Sequence, residues 1–122
     1  MFAGQASAAL ELYSATFADF RIVSIERYGT GEAGPAGSVK QAEAALGDHH
    51  IIVIDSPARH DFTFTPAISL FVNCATEGEL DRAFAVLASE GKTFMPIGNY
   101  EFSRRFGWCS DRFGVSWQLN LP

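Results

Sequence analysis

The sequence predicts an α+β fold made of two successive βαβββ modules, about residues 1–60 and 61–122. Three observations carry this reading. Only Ala6–Phe17 and a stretch from about Glu77 to Ser89 place apolar residues at helical spacing. The other apolar runs have the length and alternation of strands. The order of elements in the first half then recurs in the second, without a residue-level repeat. Duplication of this kind builds one sheet from two halves, with the binding site between them.

In chain order, Phe2–Gly4 is a very short strand. Ala6–Phe17 is a helix with Ala9, Leu10, Tyr13 and Phe17 on its apolar face, favoured by its alanines. Arg21–Tyr28 alternates and reads as a strand. Gly29–Gly37 is a glycine-rich loop. Val39–Leu46 is a strand, although Ala42-Glu43-Ala44-Ala45 would favour helix in isolation, and Gly47-Asp48 turns it into His49–Ile54. Ser56–Pro66 is a connector in which Phe62 and Phe64 are expected to pack. Ala67–Cys74 is a strand. Thr76 caps the second helix, with Glu79 placed for a capping box, and Leu80, Phe84, Leu87 and Ala88 form its buried stripe. Gly91 is expected to end that helix. Lys92–Met95 is a short strand and Pro96–Arg105 a polar loop with aromatics. Phe106–Ser110 and Ser116–Leu121 form a hairpin around the Asp111–Gly114 turn.

At 122 residues the chain suits one domain, and its 48% apolar content suits a globular core. Eleven phenylalanines point to an aromatic-rich core or cavity. A formal net charge of −5 opposes phosphate-backbone binding, so no nucleic-acid partner is expected. No run approaches the ~20 apolar residues of a membrane span, and the N-terminus lacks the pattern of a signal peptide. Cys74 and Cys109 read as reduced core thiols in a cytoplasmic protein.

Several side chains carry candidate chemistry. Gln118 lies between Trp117 and Leu119, so alternation turns its carboxamide, both donor and acceptor, away from those two apolar neighbours. Trp108 and Phe106 share one strand face, and Gly107 and Cys109 the other. Arg104-Arg105 suits an anion clamp, since guanidinium matches carboxylate geometry, and Tyr100 and Phe102 suit an aromatic lid. His49 and His50 sit at a hairpin and point to opposite faces, so they do not share a metal. One facing a cavity would serve as a base near neutral pH. His60, beside Asp61, reads as solvated.

The order of elements, together with particular runs of residues, resembles the vicinal oxygen chelate superfamily (the glyoxalase and bleomycin-resistance fold), and within it the PhnB-like branch. Those runs are Phe2-x-Gly4-x-Ala6, Leu12-Tyr13 with Phe17, Ala67-Ile68-Ser69-Leu70 with Val72 and Cys74, Glu79-Leu80-Asp81, and Phe106-Gly107-Trp108 with Asp111 through Gln118. The resemblance implies a curved mixed sheet around a cavity. Enzymes of this superfamily hold a divalent metal with His and Glu. Here Gln118 stands where the C-terminal Glu is expected, and a residue near Ser69 replaces a ligand His. The first half offers Gln41, Glu43, His49 and His50, of which Glu43 and His50 are weak metal candidates.

The expectation is therefore a protein that binds a polar small molecule through Gln118, Ser69, Gln41, Trp108 and Arg104, with no cofactor required. The alternative is a metal-dependent lyase, isomerase or dioxygenase of the chelate type. Members of the branch also carry a label as ubiquinone-pathway methyltransferases. Methyl transfer of the common type needs a glycine-rich strand-to-helix turn, whereas the glycines of Gly29–Gly37 lie between two strands. The resemblance further implies a homodimer, and the short first strand places Phe2–Gln5 near its interface.

Overall fold

The computed structural model describes residues 1–122 and divides into two compact units, Met1–Phe62 and Thr63–Pro122. Each holds one helix and one sheet, an α+β arrangement of glyoxalase-like type.

In the first unit, helix α1 (Ala6–Thr16) precedes strands β1 (Phe20–Arg27), β2 (Val39–Leu46) and β3 (His49–Val53), which form an antiparallel sheet in the order β1-β2-β3. Ala9, Leu10, Tyr13 and Phe17 are buried, as the periodicity predicts. Tyr13 meets Phe20 edge-on, and Phe20 stands opposite Leu46. This places α1 over the sheet face that also carries Ala42 and Ala44. Sheet pairing overrides the helical preference of the Ala42–Ala45 run, because Ala42 and Ala44 fit fully buried beneath a helix.

The expected first strand reduces to one parallel bridge between Phe2 and Asp55. Phe2 is buried and bonded to Ile54 and Ser56, and only Ala3–Gln5 of the segment are exposed. Asp55, itself buried, accepts N–H bonds from Gly4, Ala6 and Val39 at 2.9 Å each. It thereby caps α1, whose N-cap Gln5 makes no side-chain bond of its own. A bulge between Ile22 and Ser24 breaks the expected alternation, so Ile22 and Ile25 both stand opposite the alanines of the α1 face. Phe62, expected to pack, is instead 64% exposed and touches His60, while Phe64 is half-buried.

The second unit comprises β4 (Leu70–Asn73), α2 (Glu77–Ala88), β5 (Lys92–Tyr100), β6 (Ser103–Ser110) and β7 (Ser116–Leu121), with sheet order β4-β7-β6-β5. β4 starts three residues later than predicted, because it pairs only with β7, in parallel, from Leu70 onward. Thr76 accepts the Glu79 N–H at 3.1 Å, as a capping box requires, and the Glu79 carboxylate reaches back to the N–H of Ala75. Ala83 joins Leu80, Phe84 and Leu87 in the buried stripe in place of the half-buried Ala88.

The segment expected as a loop, Pro96–Arg105, is mostly strand, with a turn at Glu101-Phe102. Proline lacks an N–H, yet Pro96 is tolerated because β5 is an edge strand and its register with β6 is irregular there. The Asp111–Gly114 turn forms as predicted, with Gly114 at φ 93° donating its N–H to Asp111 at 2.9 Å.

Gly91 does not supply the left-handed residue after α2. Glu90 does, at φ 60°, and Gly91 is needed because any Cβ there would collide with the Ser110 carbonyl oxygen. Glu90→Gly should therefore stabilise the protein by about 1 kcal/mol by removing left-handed strain, and Gly91→Ala should destabilise it by about 3 kcal/mol. Urea denaturation of both variants checks the opposite signs.

Cys109 is fully buried, and that burial, with the Asp111 charge adding to it, pushes its thiol from near 9 up to about 12. The unfolded chain releases this proton at the ordinary value, so the thiol's contribution to stability is intact below pH 9 and declines as pH rises towards 12. Cys109→Ala should flatten the alkaline limb of the stability profile, as measured by denaturation on either side of pH 9.

Candidate functional site

α2 covers one face of the second sheet. A Cβ on Gly107 would lie 2.6 Å from the Phe84 ring, and the fully buried Cys109, Trp117 and Leu119 share that face. Alternation sends their neighbours to the opposite face, which no helix of this unit covers. Cross-strand register orders that face into three rows. Phe106, Asn120 and Asn73 form one, and Trp108, Gln118 and Phe71 the next. Ser110 and Ser116 form the third, continued by Ser69 just before β4.

The rows are mostly polar and well bonded. Ser116 Oγ accepts the Trp108 indole N–H at 2.8 Å and lies 2.6 Å from Ser69 Oγ. One hydroxyl hydrogen bridges the two serines, and the other is left over, since the indole only donates. Asn120 donates to Asn73 at 2.8 Å. Gln118 sits between these bonded pairs, half-buried, and its carboxamide makes no hydrogen bond. Trp108 on one side, backed by Phe94 at 4.9 Å, and Phe71 on the other, 56% exposed, give it aromatic walls. Three of the sequence candidates, Gln118, Ser69 and Trp108, thus come together, although Ser69 precedes the strand expected to carry it.

Arg104 and Arg105 part company. Arg105 turns to α2, where its guanidinium grips Asp81 with two bonds of 2.7 and 2.9 Å and lies 3.5 Å from Glu77. The bond to Asp81 holds its pKa above the ordinary arginine value. It is a structural tie, not half of an anion clamp. Arg104 is exposed at the β5–β6 turn and makes no ion pair. Tyr100 and Phe102 do stack there, with ring centroids 5.7 Å apart, and both meet Phe106 edge-on.

The remaining candidates belong to the first unit. Gln41 and Glu43 alternate with Ala42 and Ala44 on β2, and so face away from α1. His50 Nδ1 lies 2.7 Å from Glu43 Oε1, so the two weak metal candidates do meet. His49 is exposed, and the exposed His60 bonds Ser56 at 2.8 Å. No group of three His, Cys, Asp or Glu side chains gathers anywhere. Glu43 and His50 alone do not make the three-to-four-donor set that a divalent transition metal requires, so the residues present do not fit that group. Sequence reasoning missed Ser116, Asn73 and Asn120. Their polar identity at alternate positions was visible, but their partners lie on other strands.

No helix is long and apolar enough to cross a membrane. No curated protein matches the chain. Among solved structures, a Bacillus cereus protein with the provisional description 3-demethylubiquinone-9 3-methyltransferase, PhnB protein, is 47% identical. That match covers 100% of this chain and 95% of the other, at a TM-score of 0.95. A Pseudomonas aeruginosa protein is 26% identical over 98% of this chain and 91% of its own, at a TM-score of 0.85. TioX from Micromonospora sp. ML1 is 14% identical over 99% of this chain and 91% of its own; at a TM-score of 0.61 it shares the fold alone. The family model described as 3-demethylubiquinone-9 3-methyltransferase matches residues 1–120, and with the whole-chain likeness to the Bacillus cereus PhnB protein this shows that the chain belongs to the PhnB-like family.

Proposed function

We propose that this chain is a small-molecule binding protein of the vicinal oxygen chelate superfamily that takes a neutral polar ligand on the face of its second sheet turned away from α2. The observation that carries the reading is the unpartnered, half-buried carboxamide of Gln118. A primary amide has two donor hydrogens and an acceptor oxygen, and water or a ligand must meet them. The spare serine hydroxyl hydrogen adds a donor one row away, and Trp108 and Phe71 offer apolar surface on either side. Few oriented polar groups amid aromatic surface is the usual make-up of a small-ligand site.

Two other activities draw less support. Chelate-type lyase or dioxygenase chemistry would have to start from Glu43 and His50, which are engaged with each other. Methyl transfer, which the family description names, draws no support from the glycine-rich loop, which lies between two strands and opens no helix. Tyr28 and Ser38 close that loop onto itself and return it to an antiparallel strand.

Gln118→Ala should keep the parent's melting temperature and weaken ligand binding about tenfold, the loss of one to two hydrogen bonds. A thermal-shift screen of small amides, alcohols and heteroaromatics supplies the ligand, and titration calorimetry measures the loss. Elemental analysis of both proteins, purified without chelator, runs beside it. Stoichiometric metal that disappears in Gln118→Ala would overturn this reading in favour of metal-dependent chemistry.

We also propose that the protein is a homodimer. β1 is an edge strand, and Ile22, Val23 and Ile25 along it are 40–47% exposed. Long apolar edges of this kind are normally covered, and a second copy is the occupant always at hand. Sedimentation at micromolar concentration should give twice the chain mass, and Ile25→Lys should shift it towards one. A parent protein that sediments as a monomer rejects the proposal.

A further inference from the structure

The β5–β6 turn carries a second feature that shares no residue with the Gln118 row. A depression of about 400 Å³ opens there, lined by Asn99, Tyr100, Phe102, Arg104 and Leu121, with Glu101 at the turn. That volume lies within the range of small-ligand sites. Its aromatic wall is built rather than incidental. The Tyr100 hydroxyl donates to the Pro96 carbonyl at 2.7 Å, which fixes its ring. Phe102 stacks on that ring with planes 14° apart while remaining 66% exposed. An apolar ring held rigid and left open is a surface for stacking.

The charge at the same place is also uncommitted. Arg105 is neutralised by Asp81 and Glu77, whereas Arg104 has neither an ion pair nor a hydrogen bond, although Glu101 shares the lining. The five N–H donors of a guanidinium match a carboxylate in a planar, two-bond pairing.

We propose that this depression is a recognition site for an aromatic carboxylate, whose acid group pairs with Arg104 while its ring lies against Phe102 and Tyr100. Phe106 supports both rings from beneath, so the stacking surface keeps its shape without the ligand.

The probe is 2-naphthoate, followed by amide NMR on the full chain. It should shift the Asn99–Arg104 resonances and bind with a Kd on the order of 1 mM or below, as a fragment of its size allows. Arg104→Gln and the neutral isostere 2-naphthamide should each weaken binding about tenfold, with Arg104→Lys retaining part of it. Cyclohexanecarboxylate, which keeps the charge and loses the flat ring, should also bind more weakly. Gln118→Ala should leave the hairpin shifts in place, which separates this site from the one proposed above. The inference is overturned if 2-naphthoate leaves the hairpin unshifted, if 2-naphthamide binds equally well, or if a folded Arg104→Gln protein binds as the parent does.

Discussion

The geometry of the second unit rests on one buried carboxylate. Asp111 Oδ1 accepts the N–H groups of Phe113 and Val115, and Oδ2 accepts the Trp117 indole N–H at 3.0 Å. It therefore sets the turn and anchors the first large side chain of β7 in the same stroke. Side chains alternate with a period of two, so a slip of one residue would send Trp117 outward and Gln118 into the core. Asp55 does comparable work in the first unit, collecting the ends of three segments through Gly4, Ala6 and Val39. A buried carboxylate is tolerable at either position because backbone donors surround it.

Once register is set, the two sheet faces acquire different chemistry. The face under α2 is closely packed, to the point that Gly107 leaves room for the Phe84 ring and nothing more. The other face keeps serines, asparagines and Gln118 among aromatics. The same alternation separates two adjacent arginines. Arg105 commits its charge to holding the hairpin to α2, while Arg104 is exposed and forms no ion pair within the chain. Membership of the PhnB-like family fits this frame but does not choose the chemistry, since that is decided by which side chains stand at these few positions.

Local sequence signals decided the elements whose partners are close along the chain. The spacing of Ala9, Leu10, Tyr13 and Phe17, the Thr76–Glu79 cap and the Asp111–Gly114 turn all formed as their residues demand. So did the outward turn of Gln118, because Trp117 and Leu119 are too apolar to leave buried space to it. Only the tertiary structure decided the rest. Pro96 continues as strand because its missing N–H falls at an edge irregularity. Glu90 takes the left-handed position because Gly91 is pressed against Ser110. The Ser69–Ser116–Trp108 chain joins residues up to 47 apart. Those outcomes depend on which backbone or side chain arrives from a distant segment, and no local pattern encodes that arrival.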